Sequence, residues 1–199
     1  MSDSTLLTAQ DYMAFAQTEP DHTFTYGDDP QQMTELYLPS AGSSHPVIIF
    51  IHGGCWRAEY GLRPASALCR DLSASGYAVW NIEYRRIGSG GGWITTFSDV
   101  ASAVDLIREV APKYDLDLSA VTVMGHSAGG HLALWIAGRR NLLENSALFV
   151  ENPLEVHKVI SLAGVSNLTR AVEQGLCGDA PADLMGGAPA ALPERYAQA

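Results

Sequence analysis

Gly125-His126-Ser127-Ala128-Gly129 places a serine between glycines at a spacing that suits nucleophilic chemistry. A glycine on either side lets a strand turn sharply into a helix, with the central hydroxyl held above the sheet. The flanks fit that reading. Val121-Thr122-Val123-Met124 precedes the serine as a short buried strand, and His131-Leu132-Ala133-Leu134-Trp135-Ile136-Ala137 comes after it as an apolar helix. A hydroxyl so placed can attack a carbonyl carbon and carry the acyl group as an ester. The five-residue pattern is common by chance, so its weight comes from the strand and helix around it.

Acyl transfer also requires donors for the oxyanion that forms during attack. Pro46-Val47-Ile48-Ile49-Phe50-Ile51 is an unbroken β-branched and apolar run, as expected of a strand buried on both faces. It ends in His52-Gly53-Gly54-Cys55-Trp56, 75 residues before the serine. Two glycines alone read better as an ordinary tight turn. Paired with the serine motif, the main-chain N–H groups of Gly53 and Gly54, with that of Ala128, become the candidate oxyanion hole. Losing one such donor typically costs ~10²–10³ in rate.

These segments, together with Glu83-Tyr84-Arg85-Arg86 and Gly130-His131-Leu132-Ala133, resemble the serine esterases of the α/β-hydrolase superfamily. The HGG-x-W loop is most similar to the branch that holds kynurenine formamidase and bacterial esterases related to hormone-sensitive lipase. The resemblance runs from about Pro46 through Gly164. It implies an α/β-hydrolase fold, a mostly parallel central sheet with helices on both faces, and hydrolysis of carboxylic esters or small amides. Arg85 and Arg86 could bind an anionic substrate, but the resemblance implies instead that the arginine after this strand pairs with an acid on the next helix, Asp99.

The rest of the chain is consistent with this. A length of 199 residues suits a single domain with a substantial core, and 47% hydrophobic content with mean hydropathy near zero is globular. A net charge of −10 argues against nucleic acid and anionic membrane surfaces as partners. Residues 1–20 carry no basic stretch leading into an apolar core, and no apolar run reaches the ~20 residues of a membrane span. Three cysteines do not make a disulfide framework. The expectation is a reduced, cytoplasmic protein with a small-molecule substrate.

Phe24-Tyr26 and Met33-Leu38, around a Gly27-Asp28-Asp29-Pro30 turn, predict an N-terminal hairpin. Helices are expected near Pro64-Ser75, ended by Gly76, and over the segment in which Phe97, Val100, Ala101, Val104 and Ile107 recur at helical spacing. Tyr77-Tyr84 and Val156-Ala163 read as further strands. Strands separated by helices imply right-handed crossovers and a parallel sheet.

Other chemistry finds less support. Gly88-Ser89-Gly90-Gly91-Gly92 comes after a strand, but Trp93 stands where a dinucleotide fingerprint needs its last glycine, so no nucleotide cofactor is expected. Trp56, Tyr60 and Trp93 are candidates for the walls of a substrate pocket, with plain packing an equal account of each. His52, His126 and His131 lack metal-ligand spacing, and no metal is expected.

The remaining catalytic groups are the difficulty. The resemblance implies the order serine, then Asp or Glu, then histidine at the ends of later strands. After Ser127 the histidines are His131, one turn into the helix, and His157, early in a strand. Neither stands where the fold needs a base, and no strand precedes Asp179 or Asp183. Residues 165–199 read as a cap-like or irregular helical segment, and the whole resembles an α/β hydrolase lacking its last two strands. An open sheet edge of that kind invites self-association. Two functions therefore compete: a serine hydrolase acting through Ser127, or a catalytically impaired hydrolase fold that binds or interacts.

Overall fold

The computed structural model describes residues 8–199. Six strands form one mixed sheet: β1 (His22–Thr25), β2 (Met33–Tyr37), β3 (His45–Ile51), β4 (Ala78–Ile82), β5 (Leu116–His126) and β6 (Lys158–Leu162), in the spatial order β1-β2-β4-β3-β5-β6. The N-terminal hairpin is antiparallel and joins β4 antiparallel, whereas β4, β3, β5 and β6 run parallel. This is the α/β-hydrolase arrangement expected from the sequence.

Among the described residues seven helices accompany the sheet: α1 (Ala9–Met13), α2 (Ser66–Ala74), α3 (Thr95–Val110), α4 (Ala128–Gly138), α5 (Leu168–Glu173), α6 (Ala180–Met185) and α7 (Pro193–Tyr196). The two-residue period of the strands divides the core between two faces. Val47, Ile49 and Ile51 of β3 pack with Phe97, Val104 and Leu132 from α3 and α4. Phe50, with Tyr37 and Val79, faces Ala65 and Cys69 on the α2 side.

Strand β5 is longer than the apolar run Val121-Met124 suggested. Its first residues pair with β3 (His45 with Leu116, Pro46 with Asp117) before a register shift between Pro46 and Ile48. Asp117 and Ser119 interrupt the apolar pattern there, and a bulged pairing tolerates them.

Arg85 and Asp99 form the expected ion pair, with Nε and Nη2 donating to the carboxylate at 2.8 and 2.7 Å. It ties the exit of β4 to α3, and Asp99 is only 2% exposed. Strand β6 is an edge strand whose Ile160 and Leu162 are exposed.

The expectation of fully reduced cysteines is corrected: Cys55 and Cys177 are joined as a disulfide, leaving Cys69 as a buried free thiol. The count of three concealed one pair and one core residue. The bond links the loop after β3 to the turn after α5 across 122 residues. Closing so long a loop restricts the unfolded chain and typically contributes about 2–4 kcal/mol. Urea unfolding should therefore show a loss of about that size on adding reductant, with the same loss in the Cys55→Ser/Cys177→Ser variant and no further effect of reductant on it.

Candidate active site

Ser127 sits where β5 turns into α4, with φ 53° and ψ −117°. That backbone conformation is uncommon for a residue with a side chain and is held by its surroundings. Its N–H donates to the Leu162 carbonyl at 2.9 Å, and its own carbonyl accepts from His131 and Val165. Close packing explains the glycine two residues on. A Cβ on Gly129 would lie 2.1 Å from the Ile51 carbonyl oxygen, so any side chain there would push α4 off the end of β3.

The loop after β3 lies directly against this serine. A Cβ on Gly53 would stand 2.6 Å from the His126 carbonyl oxygen and 3.2 Å from the Ser127 Cβ. Among the described residues, no acceptor is paired with the main-chain N–H of Gly53, Gly54 or Ala128. Three free donors thus lie in the segments that meet at the serine. A cavity of about 220 Å³ opens there, walled by Tyr12, Tyr60 and Pro64 as well as by Gly53, Gly54 and Ser127.

A carboxylate braces the loop. Glu83, just after β4, accepts from His52 Nε2 at 2.8 Å and the Tyr84 N–H at 2.9 Å through one oxygen, and from the Leu62 N–H at 3.0 Å through the other. Arg86 Nη1 lies 3.5 Å from that second oxygen. Burial pushes the Glu83 carboxyl up, but the charge and hydrogen bond of His52, with Arg86 and the Tyr84 N–H, hold it below the usual carboxylate range.

Two expected pocket walls are elsewhere. Trp56 is wholly buried, its ring edge-to-face with His131 at 5.5 Å, because the chain turns inward after Cys55. Trp93 packs on Phe97 at 5.3 Å, with the Arg195 guanidinium over its ring, and does not line the cavity beside Ser127. Tyr60 does line it. Tyr12 is a wall that sequence reasoning missed; it comes from α1, a helix of five residues, too short to give a periodic signal.

No hydrogen bond joins the Ser127 hydroxyl to a histidine among the described residues. His131 is 4% exposed, and neither of its ring nitrogens has a partner. His157 lies before the first residue of β6, at the opposite end of that strand from Ser127. Among the described residues no group of His, Cys, Asp and Glu could hold a metal ion, and no helix is long and apolar enough to cross a membrane.

The family model described as BD-FAE matches residues 34–199, and the chain belongs to that family. The fold and its relatives define the class as an α/β-hydrolase esterase. Esterase LipC of Mycobacterium tuberculosis is 32% identical over 54% of this chain and 27% of its own length. Kynurenine formamidase of Meyerozyma guilliermondii is 29% identical over 75% of this chain and 54% of its own. Esterase B of Lactobacillus rhamnosis superposes with a TM-score of 0.75 at 28% identity, over 92% of this chain and 63% of that one. The chain spans less than two-thirds of each of these three.

Burial drives the His131 ring down to about 4. An unfolded imidazole takes up a proton below about 6.5, whereas the folded ring stays neutral until about 4. This group therefore lets stability fall as pH drops through that window, by roughly 3 kcal/mol in all, and has no effect above it. Chemical denaturation at stepped pH should show that fall in the native chain. His131→Phe, which keeps a ring against Trp56 and Phe97, should lack it and retain only the carboxylate-driven loss at lower pH.

Proposed function

We propose that this chain carries the acyl-transfer half of a serine hydrolase acting on carboxylic esters or small amides. The observation that carries the reading is Ser127, held at φ 53° against Gly53 with the free N–H groups of Gly53, Gly54 and Ala128 in the segments that meet there. Ser127 Oγ would attack the carbonyl carbon and lose its proton to a base. The C–O or C–N bond to the leaving group would then break, the leaving group taking up a proton, and water would release the acid from the acyl-serine. The three N–H groups would hold the oxyanion. Tyr12, Tyr60 and Pro64 would bound the acyl side, which suits a short acyl group in a cavity of about 220 Å³. Names among the relatives cover both an esterase and a formamidase, so the acyl and leaving groups are left at class level.

The second reading, a hydrolase fold impaired in catalysis that binds rather than turns over, is favoured by one observation: among the described residues, no histidine reaches Ser127. Losing a triad histidine costs on the order of 10⁶ in turnover, with ~10³–10⁴ over water remaining from the rest of the site. The 199-residue chain should thus hydrolyse p-nitrophenyl acetate slowly, at a rate that Ser127→Ala leaves nearly unchanged, since what remains does not use the serine. Brisk hydrolysis lost in Ser127→Ala would mean that a base is supplied, whereas brisk hydrolysis unchanged in that variant would remove Ser127 from the reaction.

The Cys55–Cys177 bond removes the cysteine ground for a cytoplasmic protein, since such disulfides persist in oxidising compartments. Self-association is proposed through β6, an edge strand that exposes Ile160 and Leu162. Sedimentation should show concentration-dependent oligomers, and Ile160→Lys, a charge placed on that edge, should shift the population toward monomer.

A further inference from the structure

The two ring nitrogens of His52 both face acceptors. Nε2 lies 2.8 Å from Glu83 Oε1, and Nδ1 lies 2.8 Å from the carbonyl oxygen of Gly53. A carbonyl oxygen can only accept, so Nδ1 must carry a hydrogen. Glu83 Oε1 already accepts the Tyr84 N–H, and Oε2 accepts the Leu62 N–H beside the Arg86 guanidinium. That donor set favours an ionised carboxylate, which requires a hydrogen on Nε2 as well. The ring is stacked on Tyr84, with centroids 4.5 Å apart, and is 2% exposed, so water does not compete for either nitrogen.

The Gly53 carbonyl and the Gly54 N–H belong to one planar trans peptide and point in opposite directions. Holding the carbonyl toward His52 therefore turns the Gly54 N–H away from it, and no acceptor in the described chain takes that N–H. We propose that Glu83 is a positioning residue for the oxyanion donors: it holds His52 as an imidazolium, and His52 in turn fixes the Gly53–Gly54 peptide so that the Gly54 N–H stays presented to the site. The inference rests on the hydrolase reading for what the N–H does, but the charge state of His52 is independent of it. With a neutral ring protonated on Nε2 alone, Nδ1 would set a lone pair against the Gly53 carbonyl oxygen, and that peptide would be free to rotate.

The test has two readouts on the full chain. In ¹⁵N spectra of the imidazoles at about pH 7, with His52 assigned by loss of its signals in His52→Asn, both ring nitrogens should carry protons. In Glu83→Gln one of them should lose its proton. The second readout is the assigned ¹H–¹⁵N signal of Gly54, which reports the Gly53–Gly54 peptide directly and needs no base for Ser127. It should shift or broaden in Glu83→Ala, in which nothing holds the ring against the Gly53 carbonyl. Should Glu83→Ala fail to fold, the wild-type imidazole spectrum still decides, because a neutral His52 in the folded native chain would overturn the proposal. An unchanged Gly54 signal in a folded Glu83→Ala would overturn it too. Brisk ester turnover unchanged in Ser127→Ala would instead overturn the hydrolase reading alone and leave the positioning of the peptide in place.

Discussion

The site depends on one pairing, the parallel ladder between β3 and β5 in the register Ile51 to Gly125. Strands in a sheet lie ~4.8 Å apart, so a register that aligns their last residues also aligns the loops that leave them. His52-Gly53 and His126-Ser127, 74 residues apart in sequence, leave the sheet side by side at the same end. The chain leaves β3 for β4 on one side and returns to β5 on the other, so this is also where the strand order reverses. In open α/β sheets such a switch point leaves a crevice beyond the carboxyl ends of the strands. The glycines at 53 and 129 are required by the same closeness, since a side chain at either would strike the neighbouring backbone.

The third strand to end there, β4, supplies the charge that stiffens the crevice. A buried carboxylate is costly unless donors surround it. Glu83 meets that condition with His52, two main-chain N–H groups and Arg86. Two residues on, Arg85 pairs with Asp99 and fixes α3 to the same strand end. Ion pairs thus fix the strand end beneath the crevice, while its walls are Tyr12, Tyr60 and Pro64. The disulfide adds a covalent restraint from outside, holding the turn at Cys177 against the loop that carries Gly53 and Gly54.

What the sequence made legible was local. A serine between glycines and a double glycine after an apolar strand are contiguous patterns, so they can be read along the chain, although what requires Gly53 and Gly129 lies opposite them in the fold. The same holds for α3, whose apolar spacing over Phe97-Ile107 fixes its buried face. The Arg85–Asp99 pair was reached through family resemblance. What stayed hidden depends on partners far along the chain. Trp56 looks the same whether it walls a pocket or packs on His131, and only the fold decides between them. Cys55 could not be matched with Cys177 from a count of three, and Tyr12 joins the site only because α1 folds back over it.

Serine placement and serine activation are separate problems, and the described residues solve only the first. Orienting donors toward an oxyanion lowers the barrier once the hydroxyl attacks, but it does not take the proton away. On the side of Ser127 away from Tyr12, a groove of about 370 Å³ is bordered by Gly164, Ser166, Asn167 and Arg170. None of these is a general base at neutral pH, since a guanidinium does not give up its proton and an amide or hydroxyl does not readily accept one. His131, the histidine one turn beyond the serine, is spent on the core, where burial keeps it neutral and turned toward Trp56 and Phe97. Ser127 borders both that groove and the cavity beside Gly53, and no hydrogen bond from its hydroxyl to a general base is present among the described residues.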